Sequence, residues 1–167
     1  MTQVLISVGA NKDNPEQQVH MSLDNLRRSY PDAQMSQLYL TEPVGTVIQG
    51  SFVNAAIVFK TTQTASEVLK SILAIETKAG RDRLNEIPKG PRVLDLDIIL
   101  FGTEIWSDES LEIPHPRYYD RRFVLIPAAE LVADMIDPVF HKTIAQILQE
   151  CSDHSWINPL EQKVLAE

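Results

Sequence analysis

The segment Arg92-Val93-Leu94-Asp95-Leu96-Asp97-Ile98-Ile99-Leu100-Phe101 sets two acids, two residues apart, inside an otherwise aliphatic run. Entered from Gly90-Pro91 and left at Gly102, a run of this kind reads as a core strand. Alternate residues of an extended chain share a face. Leu94, Leu96 and Ile98 therefore point one way and the two acids the other, spaced about 6.6 Å along the strand. A buried carboxylate left without a partner costs several kcal/mol. The chain must fold so that one face of this strand is covered by apolar groups while the other meets something cationic. A divalent metal leads; arginines or open solvent are the alternatives.

The remaining pattern supplies the frame. Val4 to Val8 reads as a buried strand ended by Gly9-Ala10-Asn11. Pro15 can open a helix, along which Val19, Leu23 and Leu26 recur at helical spacing until Tyr30-Pro31-Asp32. Gln37–Thr41 reads as a short strand, Glu42–Gly50 as a loop, and Phe52–Lys60 as an apolar strand. Ala65, Val68, Leu69, Ile72 and Ile75 mark an amphipathic helix ending near Gly80. Loops flank the acid strand as far as Arg92 and Pro116. Short helices are expected over Phe123–Leu131 and Thr143–Glu150. The order β-α-β-β-α-β with a helical tail predicts an α+β, ferredoxin-like sandwich: an antiparallel sheet flanked by helices, as one domain over 1–167.

A net charge of −8 disfavours nucleic acid or an anionic membrane as partner. It does not exclude an anionic substrate, because a local site overrides the global sign. The single cysteine, Cys151, leaves no disulfide framework. The N-terminus has no charged leader with a long apolar core, and no run approaches membrane length, so a cytoplasmic protein is expected.

Neither G-x-x-x-x-G-K-[ST] nor G-x-G-x-x-G occurs, so a glycine loop does not cradle phosphates here. Arginines can. Arg81, Arg83, Lys89, Arg92, Arg117, Arg121 and Arg122 bracket the acid pair, and guanidinium planes match phosphate oxygens. Carboxylates holding Mg²⁺ among arginines suit polyphosphate chemistry. Glu76 continues the apolar stripe of its helix. It is either a boundary acid reaching water or an acceptor for a polar ligand or the arginines. His115 lies between Pro114 and Pro116 in a stiff extended segment, either without a role or as a fixed donor to a phosphate oxygen. Asn54, in an apolar run, must find polar partners and could read the edge of a heterocycle. Phe52 and Phe123 are core residues or, with a flat ligand, stacking walls.

Several stretches together resemble the 6-hydroxymethyl-7,8-dihydropterin pyrophosphokinase family of folate biosynthesis. They are Gly80-Arg81-Asp82-Arg83, then Gly90-Pro91-Arg92 through Asp95-Leu96-Asp97 to Gly102, then Ile113-Pro114-His115-Pro116-Arg117 and Arg121-Arg122-Phe123-Val124-Leu125. Tyr39–Gly45 and Phe52–Ala56 resemble its pterin-side segments, and Ser7-Val8-Gly9-Ala10-Asn11 its opening G-S-N with Ala10 for Ser. The similarity spans residue 4 to about 138.

The resemblance implies that ATP gives its β,γ-pyrophosphoryl group to the pterin hydroxymethyl oxygen. Attack is at the β-phosphorus, and AMP leaves. By position it implies Asp95 and Asp97 as ligands of two Mg²⁺ ions and, with Arg83 and Arg92, as the catalytic set. It implies Glu76, Arg81, Arg83, Arg92, Ile98, His115 and Arg121 on the ATP. It implies Thr41, Pro43, Val44, Phe52, Asn54, Asp95 and Phe123 around the pterin, whose ring lies between the two phenylalanines. The proton acceptor stays open between a metal-bound substrate oxygen and Asp97. The only partners expected are ATP and the pterin, with the chain a monomer. Lys89, after Pro88, stands where the family usually has an aromatic before Gly-Pro-Arg. Ser110 and Glu112 replace expected nucleotide contacts, and Phe52 stands for a common tyrosine. Two other classes fit the acid pair alone: a D-x-D glycosyltransferase or phosphohydrolase, and a non-catalytic ferredoxin-like binding module.

Overall fold

The computed structural model describes residues 1–161. Two long strands form the middle of the sheet. β1 (Thr2–Ala10) runs antiparallel to β4 (Phe52–Thr61), from the pair Thr2–Thr61 to the pair Ala10–Val53. The acid strand β5 (Asp95–Phe101) pairs with the free side of β1. On the other side β4 receives β2 (Gln34–Met35) and β3 (Tyr39–Thr41), and β8 (Ile157–Pro159) closes that edge against β3. The order β5-β1-β4-β3-β8, antiparallel throughout, is the expected α+β sandwich.

The pleat of β1 assigns the two faces. Val4, Ile6, Val8 and Ala10 pack under α1 (Pro15–Ser29) and α2 (Ala65–Lys78), against Val19, Leu23, Leu26, Val68 and Ile72. Pro15 occupies the first turn of α1, and a Thr64–Glu67 capping box starts α2. Leu5 faces the opposite way, toward α3 (Arg122–Val132) and α4 (Ile144–Gln149). Leu94, Leu96 and Ile98 join the α1/α2 core, as their spacing predicts. β5 then carries one extra residue. Leu5 pairs with Leu100 and Ile6 with Ile98, so Ile99 is a bulge. Its carbonyl accepts the His115 N–H at 2.9 Å, and from there the strand changes phase: Leu100 joins the α3/α4 side and Phe101 the other.

Several elements depart from the sequence pattern. The strand expected over Gln37–Thr41 is shorter and is preceded by β2, with a break where Ser36 exchanges hydrogen bonds with Ala56 through both its backbone and its hydroxyl. The stretch after β5 contains a small hairpin, β6 (Trp106–Ser107) and β7 (Glu112–Ile113), and a single 3₁₀ turn over Tyr118–Asp120. β8 has no periodic signature at all. Among the described residues no helix is long and apolar enough to cross a membrane.

Candidate active site

Helices α3 and α4 leave the end of the sheet that carries Asp95 and Asp97 uncovered. A cleft of about 220 Å³ opens there. Its floor is written by register: Gly9 lies between Asn54 on β4 and Asp95 on β5, and Ser7 lies opposite Asp97. Small residues at Ser7 and Gly9 make that floor shallow. A Cβ on Gly9 would sit 2.5 Å from Asn54 Oδ1, so the Asn54 amide needs a glycine beneath it. Asn54 Nδ2 donates to Thr41 Oγ1 at 2.6 Å, which fixes the amide and leaves Oδ1 toward the floor. Thr41, Glu42, Val44 and Phe52 form one wall and Arg121, Phe123 and Val124 the other, and Arg92, His115 and Arg117 also line the cleft.

The acids are electrostatically strained. Burial, then the charges of Asp95 and Glu76, push the Asp97 carboxyl up to about 7, against partial relief from Arg121 and Arg81. Asp95 Oδ1 receives Arg81 Nη1 at 2.8 Å. His115 is shifted the other way, down to about 4, by burial and then by the neighbouring Arg121 charge. Its Nδ1 accepts the Arg117 N–H at 3.2 Å, which leaves a neutral ring with Nε2 as the proton-bearing donor.

A second set of charges stands behind the acids. Gly80, at φ +98°, ends α2 with the Arg81 N–H bonded back to Glu76 O, which turns Arg81 along the helix it has just left. Arg81 grips both oxygens of Glu86, at 2.7 and 3.0 Å, and also reaches Glu76 at 3.1 Å. Burial works against its charge, but these carboxylates outweigh burial and hold the guanidinium protonated. Glu76 is 1% exposed. Its carboxylate accepts the Leu96 N–H at 2.9 Å and Arg83 Nη2 at 2.6 Å, and burial still raises its pKa. Of the two uses open to it from sequence, Glu76 takes the arginines and a backbone N–H. Glu86 also meets Arg92 Nε at 3.3 Å.

Asn11 ties the flanking loops together. Its backbone and side chain both bond to the backbone of Arg92, at 3.0 and 2.8 Å. Its Nδ2 donates to Gln49 Oε1 and Gly50 O, and Gln49 Nε2 donates to Lys89 O at 2.9 Å. Lys89 stands at φ +57°, a left-handed conformation held by that bond.

Of the residues singled out from sequence, Asp95, Asp97, Arg92, His115, Arg121, Thr41, Val44, Phe52, Asn54 and Phe123 all line this one cleft. Glu76, Arg81 and Arg83 stand behind it in the ion network. The Ile98 side chain is buried in the opposite core, so only its backbone lies on the acid strand's open side. Pro43 sits between lining residues without lining the cleft itself. Sequence reasoning did not single out Glu42, Ile99 or Glu86; Arg117, one of the basic residues bracketing the acid pair, also lines the cleft. Ser7 and Gly9 carried a legible signal: small residues at i and i+2 of an otherwise aliphatic strand.

A model of the 7,8-dihydro-6-hydroxymethylpterin-pyrophosphokinase family, HPPK, matches residues 5–133, which takes in every wall of this cleft. The chain is a member of the HPPK family. A Haemophilus influenzae 2-amino-4-hydroxy-6-hydroxymethyldihydropteridine pyrophosphokinase is 32% identical over 159 residues, covering 94% of this chain and 98% of the relative. A Bacillus subtilis protein of the same name is 38% identical over 128 residues, 75% of each chain. Among solved structures, a Plasmodium falciparum HPPK-DHPS triple mutant superposes with a TM-score of 0.68 at 14% identity, over 89% of this chain and 42% of that one. That likeness concerns the fold. The activity of this HPPK is pyrophosphoryl transfer to a hydroxymethylpterin in folate biosynthesis, with ATP as co-substrate.

Proposed function

We propose that the cleft binds the pterin ring across its floor and the ATP triphosphate at the Asp95–Asp97 end, and that the hydroxymethyl oxygen attacks the β-phosphorus with AMP as leaving group. The observation that carries this reading is the convergence of a slot for a flat ring with a carboxylate pair. Phe52 and Phe123 supply its apolar sides and Asn54 its fixed amide, next to carboxylates that burial and mutual repulsion strain and that a bound cation would relieve. The donors suit hard cations. Asp95 and Asp97 offer only two carboxylates, so water and the oxygens of a phosphate chain would complete the shell of a bound Mg²⁺. Two Mg²⁺ ions bound there would supply charge neutralisation at the phosphate oxygens.

The chain's own groups do the rest. Asn54 Oδ1 and the Thr41 to Val44 backbone orient the ring edge. His115, kept neutral, donates Nε2–H to a phosphate oxygen without adding charge. Arg92, Arg121 and Arg83 bring guanidinium donors to the triphosphate. Arg81, saturated by Glu86, Glu76 and Asp95, acts as a positioning residue for Asp95. The test is direct: incubate the protein with ATP, MgCl₂ and 6-hydroxymethyl-7,8-dihydropterin and separate the nucleotides. AMP and a pyrophosphorylated pterin are expected, with formation abolished by a chelator and restored by Mg²⁺. Formation of ADP, or turnover unaffected by the chelator, would overturn the assignment.

A further inference from the structure

Two arginines stand side by side where α3 begins, and they face different ways. Arg121 lines the cleft, its guanidinium 5.7 Å from the centre of the Phe123 ring. Arg122 turns to the C-terminal segment: its Nη1 donates to Ser155 O at 2.8 Å, and its backbone N–H donates to Asp153 Oδ2 at 2.9 Å. The other oxygen of Asp153 takes the Ser155 N–H at 2.9 Å and its hydroxyl. These bonds outweigh burial and hold the Asp153 carboxyl below its usual range. One residue on, the Trp156 N–H donates to Glu42 Oε2 at 3.0 Å while the Glu42 N–H donates to Trp156 O at 3.2 Å, and Ile157 pairs with Thr41. The segment 153–157 is thus a strap from the first turn of α3 to the end of β3, joining the two opposed walls of the cleft.

An arginine in the first turn of a helix faces the positive end of the dipole, and here it also follows a second arginine. Helix formation gives no reason for it. The strap does.

We infer that Arg122 is a positioning residue that sets the width of the pterin slot, acting through Asp153, Ser155 and Trp156 on Glu42 and Phe123. The inference rests on the proposed seating of the pterin between those walls. Of the nucleotide-side groups, Glu76, Arg83 and Arg92 come from α2 and the following loop, which the strap does not touch, and Arg121, next to Arg122, is anchored separately by its N–H to Tyr118 O at 3.2 Å.

The experiment varies each substrate in turn for the wild type, R122A, R122K, D153A and a control, T143A. The control loosens α4 by removing its capping hydroxyl, remote from the cleft. R122A and D153A should raise KM for the hydroxymethylpterin at least fivefold and KM for ATP less than twofold. R122K, which keeps one donor for Ser155 O, should recover most of the loss. T143A should lower the melting temperature with both KM values unchanged. Unchanged pterin KM in R122A, a parallel rise in both KM values, or no recovery in R122K would overturn the inference. Should R122A not fold, R122K and D153A decide it on the same criteria. Amide exchange at Trp156, expected to quicken in R122A, is read without turnover. If the wild type forms no AMP, the seating of the pterin falls, while an unchanged Trp156 exchange rate sinks the strap alone.

Discussion

Replacing Asp97 by asparagine should make the metal-free protein more stable while stopping its chemistry. Burial, Asp95 and Glu76 raise the Asp97 carboxyl from 3.8 to about 7. The folded state therefore holds this proton more tightly than the unfolded chain does. An acid shifted in this direction costs the fold nothing below its unfolded pKa. The cost grows as pH rises through the interval and is complete above the folded pKa. At ~1.36 kcal/mol per pH unit, the interval corresponds to roughly 4 kcal/mol. Asp97 keeps some contact with solvent, and screening halves this to about 2 kcal/mol. For a chain of this size that is a shift of about 4–8 °C in melting temperature. The assay is thermal unfolding in a chelating buffer across the pH range, wild type beside D97N. The two curves should coincide near pH 4, separate with D97N the higher, and run parallel above about pH 7. Mg²⁺ with a non-hydrolysable ATP analogue should then raise the wild type alone. A variant no more stable than the wild type at pH 8, or a gap that ignores pH, would refute the electrostatic account of the acid pair.

Gly9→Ala should leave the sheet folded but displace the Asn54 amide, since the new Cβ falls 2.5 Å from Oδ1. Pterin affinity measured by calorimetry should drop at least tenfold while nucleotide affinity holds, and equal loss of both would mean general damage. Phe123→Ala should weaken the pterin more than ATP, and a stability loss approaching the ~3–5 kcal/mol of a core phenylalanine would make it a packing residue instead. Glu86→Gln removes the carboxylate shared by Arg81 and Arg92. Amide exchange over residues 84–92 should quicken and KM for ATP should rise several-fold; unchanged exchange would count against the network. The His115 ring should titrate by NMR with a midpoint near pH 4 and stay neutral from about pH 5.5 upward, because burial and Arg121 disfavour its charge. A midpoint near 6.5 would show that the ring is solvated.

The acid strand was legible because a period of two is the simplest pattern a chain can carry. Leu94, Leu96 and Ile98 declare one face, and Asp95 and Asp97 the other. The helices beneath the sheet were legible for the matching reason at a period of 3.6. What escaped were partners brought from far along the chain. Glu86 sits in a loop with no period, and only the closing of Gly80 places Arg81 against it. Glu42 is one acid in a polar loop until Trp156 fixes it, 114 residues later. β8 lacks any apolar alternation because it borders solvent and is held by its ladder to β3. Glu76 stayed open between water and the arginines because helical spacing alone cannot show that two arginines and the Leu96 N–H wait on its buried side.

The extra residue at Ile99 divides β5 into two reading frames. Upstream, the odd-numbered residues Asp95 and Asp97 face the cleft. Downstream, the even-numbered Leu100 faces α3 and α4. Length changes in the hairpin after Phe101 leave the acids in phase. Deleting Leu96 does the reverse: it makes Asp95 and Asp97 neighbours, and neighbours in a strand face opposite ways, so one carboxylate turns into the aliphatic core. A single substitution at this end of the strand leaves the phase of its neighbours intact, whereas a change in count does not.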